Sequence, residues 1–535
     1  MFHLNILQKI WRRFIARLVI LSPLVGRAPL DFPFALSDIA QLYRSTLAED
    51  TPVTDEQTAA DLLLDDYAAS LTRGSSIFAQ QLVHKRLRAG AGSNDSPSRI
   101  AALLQDTALQ QSLTQQCHLL RQVDTEISAT LFAGDVPVPR KNPERGDWVL
   151  RMLPLLMLSL IGLAFAVSAY LWTGVLLVWI VLMLIQMHYH EVAADWARKM
   201  QALQMLLITF NSLGGVEHSE AAICKAGRQQ ANKVIRGIRR SNVTLQPALR
   251  DYADWLMLDN VRHYFKSSTV VRDNLEFLRE AFLLVASLET DLAIARHLQG
   301  QAQYCWATPA AKKQLKMEQV VHPLLEKSIP LNMALDGKGA FISGQNGIGK
   351  STLLRTVGLN LITARAFGFC YARTAALPAL QVYASMQSED SLMGGESLYL
   401  SELRRAKELL EFSRQGHDAL FIIDEIFRGT NHLESVSAAA AVLHTLCQTQ
   451  MVIVSSHNLA LAPLLNTCLQ PYCVTRLVDE QHLQLLPGVL DKTNGIALLA
   501  THGFGSELDR KARRVYDWLD SYMAHPAECE DLLDT

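Results

Sequence analysis

The stretch Phe341–Leu354, FISGQNGIGKSTLL, decides the fold. An apolar run ends at Gly344, a glycine-rich turn follows, and Lys350-Ser351-Thr352 open a helical pattern. Gly344 to Ser351 fits G-x-x-x-x-G-K-[ST], and a strand before it with a helix after it is the context that gives the motif meaning. Glycines such as Gly347 and Gly349 let successive backbone N–H groups converge on phosphate oxygens. The new helix adds the positive end of its dipole. In that arrangement Lys350 reaches the β- and γ-phosphates and Ser351 ligates Mg²⁺.

A triphosphate site of this kind needs a second, acidic strand end. ALFIIDEIFRGT (419–430) supplies it. Asp424, closing the apolar run, is placed to hold Mg²⁺ directly or through water, and Glu425 to orient and polarise the attacking water. MVIVSSHN (451–458) reads as another buried strand, ending at His457, which is placed to bond the γ-phosphate and report its loss. The predicted catalytic set is therefore Lys350, Glu425 and His457, and the metal set Ser351 and Asp424. From about residue 316 onward, short β-type runs alternate with helical stretches, the texture of an α/β nucleotide-binding domain.

The 535 residues suggest two to four domains, and a formal net charge of -2 excludes a globally basic nucleic-acid binder. The eight cysteines form no C-x-x-C pair, which argues for reduced, mostly buried thiols.

Several stretches between about 280 and 520 resemble, in order and spacing, the ATPase end of the MutS DNA mismatch-repair family. They are LVASLETDLAIARHL, VVHPLLEKSIPLNMAL, GQNGIGKST, SEDSLMGGESLYLSELRRAKELL, DEIFRGT, SSHN and LLPGVLDKTNGIALLATHGFGSELDRKA. The resemblance implies an ABC-like, MutS-type P-loop NTPase fold using ATP and Mg²⁺, with Gly344, Asn346, Gly347, Gly349, Lys350, Ser351 and Thr352 around the nucleotide. It implies a slow ATPase and a homodimer in which Ser397 reaches the partner's γ-phosphate and Arg428-Gly429-Thr430 line the seam. Three positions depart from the family pattern: Phe427 stands for Gly, Asn431-His432 for Ser-Thr, and Leu398 for the Thr after Ser397. The family's Phe-x-Glu mismatch wedge has no counterpart near the N-terminus, so the expectation is a shortened, membrane-anchored relative.

Membrane anchoring rests on Met152–Met187, which carries no charged residue. One crossing takes roughly 20 apolar residues, and this run is long enough for two short ones. We expect a transmembrane hairpin over 148–190 turning at Leu171–Gly174, with a pair of buried core helices as the alternative. Basic residues on both flanks place both ends, and the ATPase domain, on the cytoplasmic side of the inner membrane. Around it lie an all-helical region (1–133), a Pro- and charge-rich linker (134–147), a helical lever-like domain (191–315) and the ATPase domain (316–535). Residues 4–18 read as a basic amphipathic helix, at a membrane interface or packed on protein.

Lys225, Arg228, Lys233, Arg236, Arg239 and Arg240 fall on one helical stripe. It suits DNA phosphates, anionic lipid, or simply solvent. Two other functions compete with a DNA- or partner-gripping ATPase. A transporter-type ATPase is suggested by SLMGGES, although DEIFRGT does not match that class. An ATP-dependent membrane scaffold with no DNA role is the other.

Overall fold

The computed structural model describes residues 31–47, 51–90, 95–134, 136, 143–240, 254–386, 398–476, 483–490 and 510–516. The amphipathic segment 4–18, Ser397 and most of the C-terminal stretch resembling the family's closing hairpin fall outside these. The chain divides into two compact units. One comprises residues 1–47, 72–82 and 99–295; the other comprises 48–71, 83–98 and 296–535.

The helical unit is built on a hairpin, Pro143–Ala166 and Leu171–Leu213. Its turn is at 167–170, earlier than the expected 171–174. Leu171, Trp172 and Thr173 already donate helical-type bonds to Ser168, Ala169 and Tyr170, so the second helix has begun. Gly174 does not break it; Leu160 of the first helix packs beside it, 3.6 Å from where a Cβ would sit. Nor does the helix stop at 190. No Gly or Pro occurs between 175 and 213, and the helix ends only at Gly214-Gly215. The expected border between membrane hairpin and helical domain is thus the middle of one 43-residue helix.

Leu150, Leu153, Met157 and Ile161 pack against Val175, Val178, Leu182 and Ile185 in the seam of the hairpin. Its outer surface is apolar and exposed, with Leu155, Phe165, Leu177 and Leu184 among the uncovered side chains. Among the described residues one helix, Leu171–Leu213, is long and apolar enough to cross a membrane; the apolar part of its partner, Leu150–Ala166, is shorter. The expectation of two full crossings narrows to one such helix with a shorter companion.

The amphipathic helix Ala221–Ile238 lies against the far part of the long helix, burying Cys224, Ala231, Val234 and Ile238. Gln204 donates to Ile238 O, and Asn211 to Asn232. The predicted basic residues Lys225, Arg228, Lys233, Arg236 and Arg239 are exposed on its other side. Arg240 is not one of them. It lies past the helix end, partly buried, and pairs with Asp254 and, at 3.3 Å, with Asp259. The N-terminal region is not a separate domain either. Ser76 N donates to Glu289 Oε1 at 2.9 Å and Arg99 Nε to Asp291 Oδ2 at 2.7 Å, both acceptors being buried carboxylates of helix Leu275–Gln299.

The α/β unit carries strands β1 (Cys305–Trp306), β2 (Thr308–Pro309), β3 (Gln314–Val320), β4 (Leu331–Asp336), β5 (Gly339–Gly344), β6 (Phe369–Cys370), β7 (Thr374–Leu377), β8 (Gln381–Ser385), β9 (Ala419–Asp424), β10 (Met451–Ser455), β11 (Leu469–Arg476) and β12 (Leu483–Pro487). Ten of them form one sheet in the order β2-β7-β3-β4-β12-β11-β5-β10-β9-β8. The run β11-β5-β10-β9-β8 is parallel throughout. Such strands are covered on both faces and read as unbroken apolar runs, as AFIS, LFII and VIV do. Alternation along β9 sorts the two faces. Phe421 and Ile423 join the core with Leu443 and Leu446 of helix His432–Thr449. Ile422 faces the other way, 3.0 Å from where a Cβ on Gly358 of helix Lys350–Phe367 would sit.

β8 ends the sheet, and the early segment 54–61 covers its open edge with side chains rather than with another strand. Ala384 N donates to Thr58 Oγ1 and Met386 N to Asp61 Oδ2, each at 2.8 Å. Arg405 ties Asp55 (2.7 Å) to the carbonyl of Ala384. Arg355, in the second turn of the helix after the glycine-rich loop, donates to Asp61 O at 2.8 Å. These bonds explain why 48–71 belongs with the α/β unit, against the expectation of an N-terminal region running to 133. A sequence pattern does not disclose such long-range polar stitching.

Candidate nucleotide site

Parallel pairing places three strand ends side by side. Ser455 is opposite Ile342 of β5 on one side and Asp424 of β9 on the other. The tip of β10 therefore stands between the phosphate-type loop and the acidic pair, which is the convergence the sequence suggested.

The loop after β5 turns by means of Gly347 (φ +75°) and Gly349 (φ +104°), conformations that side chains resist. Gly349 is also the N-cap of helix Lys350–Phe367 and provides no capping side chain. The first-turn amides of that helix are left facing the loop, the geometry that suits an anion. Ser351 is half-buried and Thr352 exposed in this turn, and Asn346 is exposed in the loop. Lys350 is only 7% exposed. Its Nζ donates to Gly344 O at 3.0 Å and Gln345 O at 3.4 Å, and lies 3.4 Å from His457 Nε2. Burial lowers the Lys350 pKa, while the carboxylates of Glu425 and Asp424 oppose the shift.

Asp424 is 5% exposed and accepts a short hydrogen bond from Ser455 Oγ. In a continuing strand Glu425 would point to the opposite face. It instead adopts φ +54°, and its amide donates to Ser455 O at 2.9 Å. This kink keeps both carboxylates with the site. His457 Nε2 donates to Glu425 Oε1 at 2.8 Å, and Arg428 Nε lies 3.4 Å from Glu425 Oε2. The hydrogen bond from His457 is the main reason the Glu425 carboxyl titrates below its ordinary range, against the opposing effect of burial. Glu425 is thus ionised at neutral pH.

The loop 426–431 is braced from helix Leu398–Arg414. Glu402 Oε2 accepts from Arg428 N (2.9 Å) and Gly429 N (3.2 Å). Phe427, in the position where the resembling family has Gly, has φ +56°. The left-handed backbone accounts for a glycine there; here a bulky residue holds it, buried against Tyr399 at 6.0 Å, with its carbonyl bonded by Ser435 Oγ. Asn431 caps helix His432–Thr449, its side chain accepting from Glu434 N at 3.0 Å, work that Asn and Ser do equally well.

Gly429 touches Tyr399 so closely that a Cβ would lie 2.6 Å from its backbone N. Gly429→Ala must therefore displace the loop or the helix. We expect a loss of stability of about 1–3 kcal/mol, the usual range for overpacking, together with lower turnover. Thermal unfolding and an ATPase assay of the purified variant check this; an unchanged melting temperature would mean the contact is not tight.

Of the residues singled out from the sequence, Gly344, Gly347, Gly349, Lys350, Asp424, Glu425 and His457 gather here, with Ser351 and Thr352 on the adjoining turn. Three supporting residues were not assigned to the site from sequence: Ser455 on Asp424, Arg428 on Glu425, and Glu402 under the loop. A hydroxyl at the end of the strand paired with ALFIID is the signal that exposes Ser455. The other two needed the fold. The donors available for a metal, a serine hydroxyl and a buried carboxylate, are hard oxygens of the kind Mg²⁺ takes alongside phosphates.

Residues 340–519 match the family model described as MutS domain V. The chain is 28% identical over 247 residues to "DNA mismatch repair protein MutS" of Thermus aquaticus, covering 44% of this chain and 30% of that relative. It is 25% identical over 344 residues to the protein of the same name from Thermotoga petrophila, covering 60% of this chain and 42% of the relative. The chain thus spans less than half the length of these relatives, and the matched part includes the whole site described above.

Proposed function

As a relative of MutS through its C-terminal half, this chain is, we propose, a membrane-anchored, dimeric ATPase that couples its nucleotide state to helical arms gripping DNA. The observation that carries the reading is the Lys350–His457–Glu425 cluster at the mouth of the glycine loop, with distances of 3.4 and 2.8 Å between successive members.

The backbone amides from Asn346 to Ser351 bind the phosphates, and Lys350 takes the β- and γ-phosphate charge. Ser351 and Asp424 would hold Mg²⁺, which would supply charge neutralisation at the transferring phosphoryl group. Glu425, ionised and fixed by His457 and Arg428, orients the attacking water and accepts its proton. His457, bonded to Glu425 and adjacent to Lys350, senses whether the γ-phosphate is present. Ser397 and Thr352 complete the nucleotide contacts, Ser397 from the partner copy.

The hairpin inserts into the inner membrane with the ATPase in the cytoplasm. Its exposed apolar outer face supports this, since a contiguous patch of that extent is unusual on a soluble surface. The membrane also bears on the basic stripe. Met187 and Gln204 lie on one continuous helix, so at about 1.5 Å per residue they are separated by roughly 25 Å. The stripe begins beside Gln204 and continues to Asn211 and beyond, away from the apolar segment. Lipid headgroups reach only its near end. A polyanion that follows the stripe fits better, and DNA is the one the relatives' name suggests.

The test is duplex and mismatched-DNA binding by the full chain in nanodiscs across a salt series. Replacing Lys225, Arg228, Lys233 and Arg236 by Glu lowers affinity at least tenfold and flattens the salt slope by about 0.9 for each phosphate no longer neutralised. ATP hydrolysis without DNA stays unchanged. Equal binding by the variant removes the stripe from the DNA reading.

A further inference from the structure

Beside the hairpin, residues 254–257 form a single helical turn whose Trp255, Leu256 and Met257 are 37%, 37% and 40% exposed. Isolated exposed apolar residues are ordinary; three in a row on one turn are not. The next residue, Leu258, has φ +51°, a left-handed conformation that bends the chain into helix Asp259–Asp273. Leu258 itself is fully buried, in the same cluster as Leu150, Met157 and Leu182 of the hairpin. The Trp255 ring lies 5.8 Å from that of His190.

These two contacts set the height of the turn along the long helix: between Leu182 and His190, a stretch of roughly 12 Å at helical rise. The uncharged run of sequence ends inside that stretch, at Met187. The turn therefore sits where an inserted hairpin leaves the hydrocarbon. Trp is the side chain most suited to that level, with an apolar body and a polar N–H. The acids flanking the turn, Asp254 and Asp259, both pair with Arg240, so neither faces a headgroup with its charge uncompensated.

We propose that Trp255-Leu256-Met257 is a second membrane contact, a wedge seated in the headgroup–acyl boundary of the leaflet the hairpin exits. The proposal rests on insertion of the hairpin. The turn is tied to the hairpin through Leu258 and through the Trp255–His190 ring contact, and the occupant is lipid. With the hairpin as one support and the wedge as another, the long helix is held at a defined angle to the membrane.

The experiment places an environment-sensitive fluorescent amino acid at position 257, or at position 180 in the hairpin, of the full chain. Each protein is reconstituted into phosphatidylethanolamine–phosphatidylglycerol vesicles carrying nitroxides at shallow or deep positions. The expected result is shallow quenching at 257 and deep quenching at 180. Quenching at 180 with none at 257 overturns the wedge and leaves the hairpin reading intact. No quenching at 180 overturns the hairpin reading and the wedge with it. As a second measure, Trp255→Ser in otherwise unlabelled protein shifts the intrinsic emission maximum and removes part of the shallow quenching. An unchanged shallow-quenching profile also overturns the wedge.

Discussion

Lys350→Ala is expected to abolish ATP turnover and to weaken nucleotide binding by about a hundredfold, equivalent to about 2.7 kcal/mol. The ammonium is buried, bonded to the loop carbonyls Gly344 O and Gln345 O, and adjacent to His457 and the two carboxylates. Each hydrogen bond between a charged group and its partner contributes about 1.5–3 kcal/mol, and Lys350 serves more than one phosphate oxygen. Its loss also removes a buried cation that offsets the charge of Asp424 and Glu425, so a triphosphate would meet the two acids with that offset gone. Titration calorimetry with ATP and a phosphate-release assay measure both effects. Near wild-type binding heat in the variant would show that the loop amides alone suffice and that Lys350 does not hold the phosphates.

Glu425→Gln separates binding from chemistry. The amide is nearly isosteric and can still accept from His457 and lie near Arg428, so the kinked backbone after Asp424 has reason to persist. It cannot take a proton. Loss of a general base costs typically 10²–10⁴ in rate, and we expect kcat to fall within that range while ATP affinity stays within a few-fold. With hydrolysis blocked, the ATP-bound state accumulates, and the variant runs as a stable dimer in ATP when analysed by size-exclusion chromatography in detergent. Undiminished hydrolysis would move the role of base elsewhere. A normal rate defect with no dimer would spare the chemistry and remove the composite site.

Much of this site is legible without the fold, for a definite reason. Phosphate binding depends on local backbone shape, and local shape is written in glycine spacing: Gly347 and Gly349 have the positive φ values that the motif requires. Parallel strands buried on both faces leave unbroken apolar runs, so β5, β9 and β10 and their polar tips can be found. What escapes the sequence depends on distant partners. The bond from Ser455 to Asp424, the support of Glu402 under Arg428 and Gly429, and the edge cover of β8 by Thr58 and Asp61 join residues far apart in the chain. The hairpin turns three or four residues before the expected Leu171–Gly174, because a Gly that breaks helices in water is tolerated when a neighbouring helix packs against it. The long helix runs past 190 because charged residues mark the end of an apolar stretch, not of a helix, and only Gly214-Gly215 interrupts it.

The covering of β8 bears on how this protein can be dissected. An unpaired strand edge offers rows of N–H and C=O groups to any extended chain that meets it, and recruitment of that kind is a common route to aggregation. Here Thr58 and Asp61 occupy two of the N–H groups, and Arg405 the carbonyl of Ala384. A fragment begun after the hairpin, chosen to obtain soluble ATPase material, would discard both residues and expose a sticky border in the very domain it was meant to isolate. Residues 48–71 have to travel with the C-terminal part, as a fused or co-expressed piece, for the isolated α/β unit to remain dispersed.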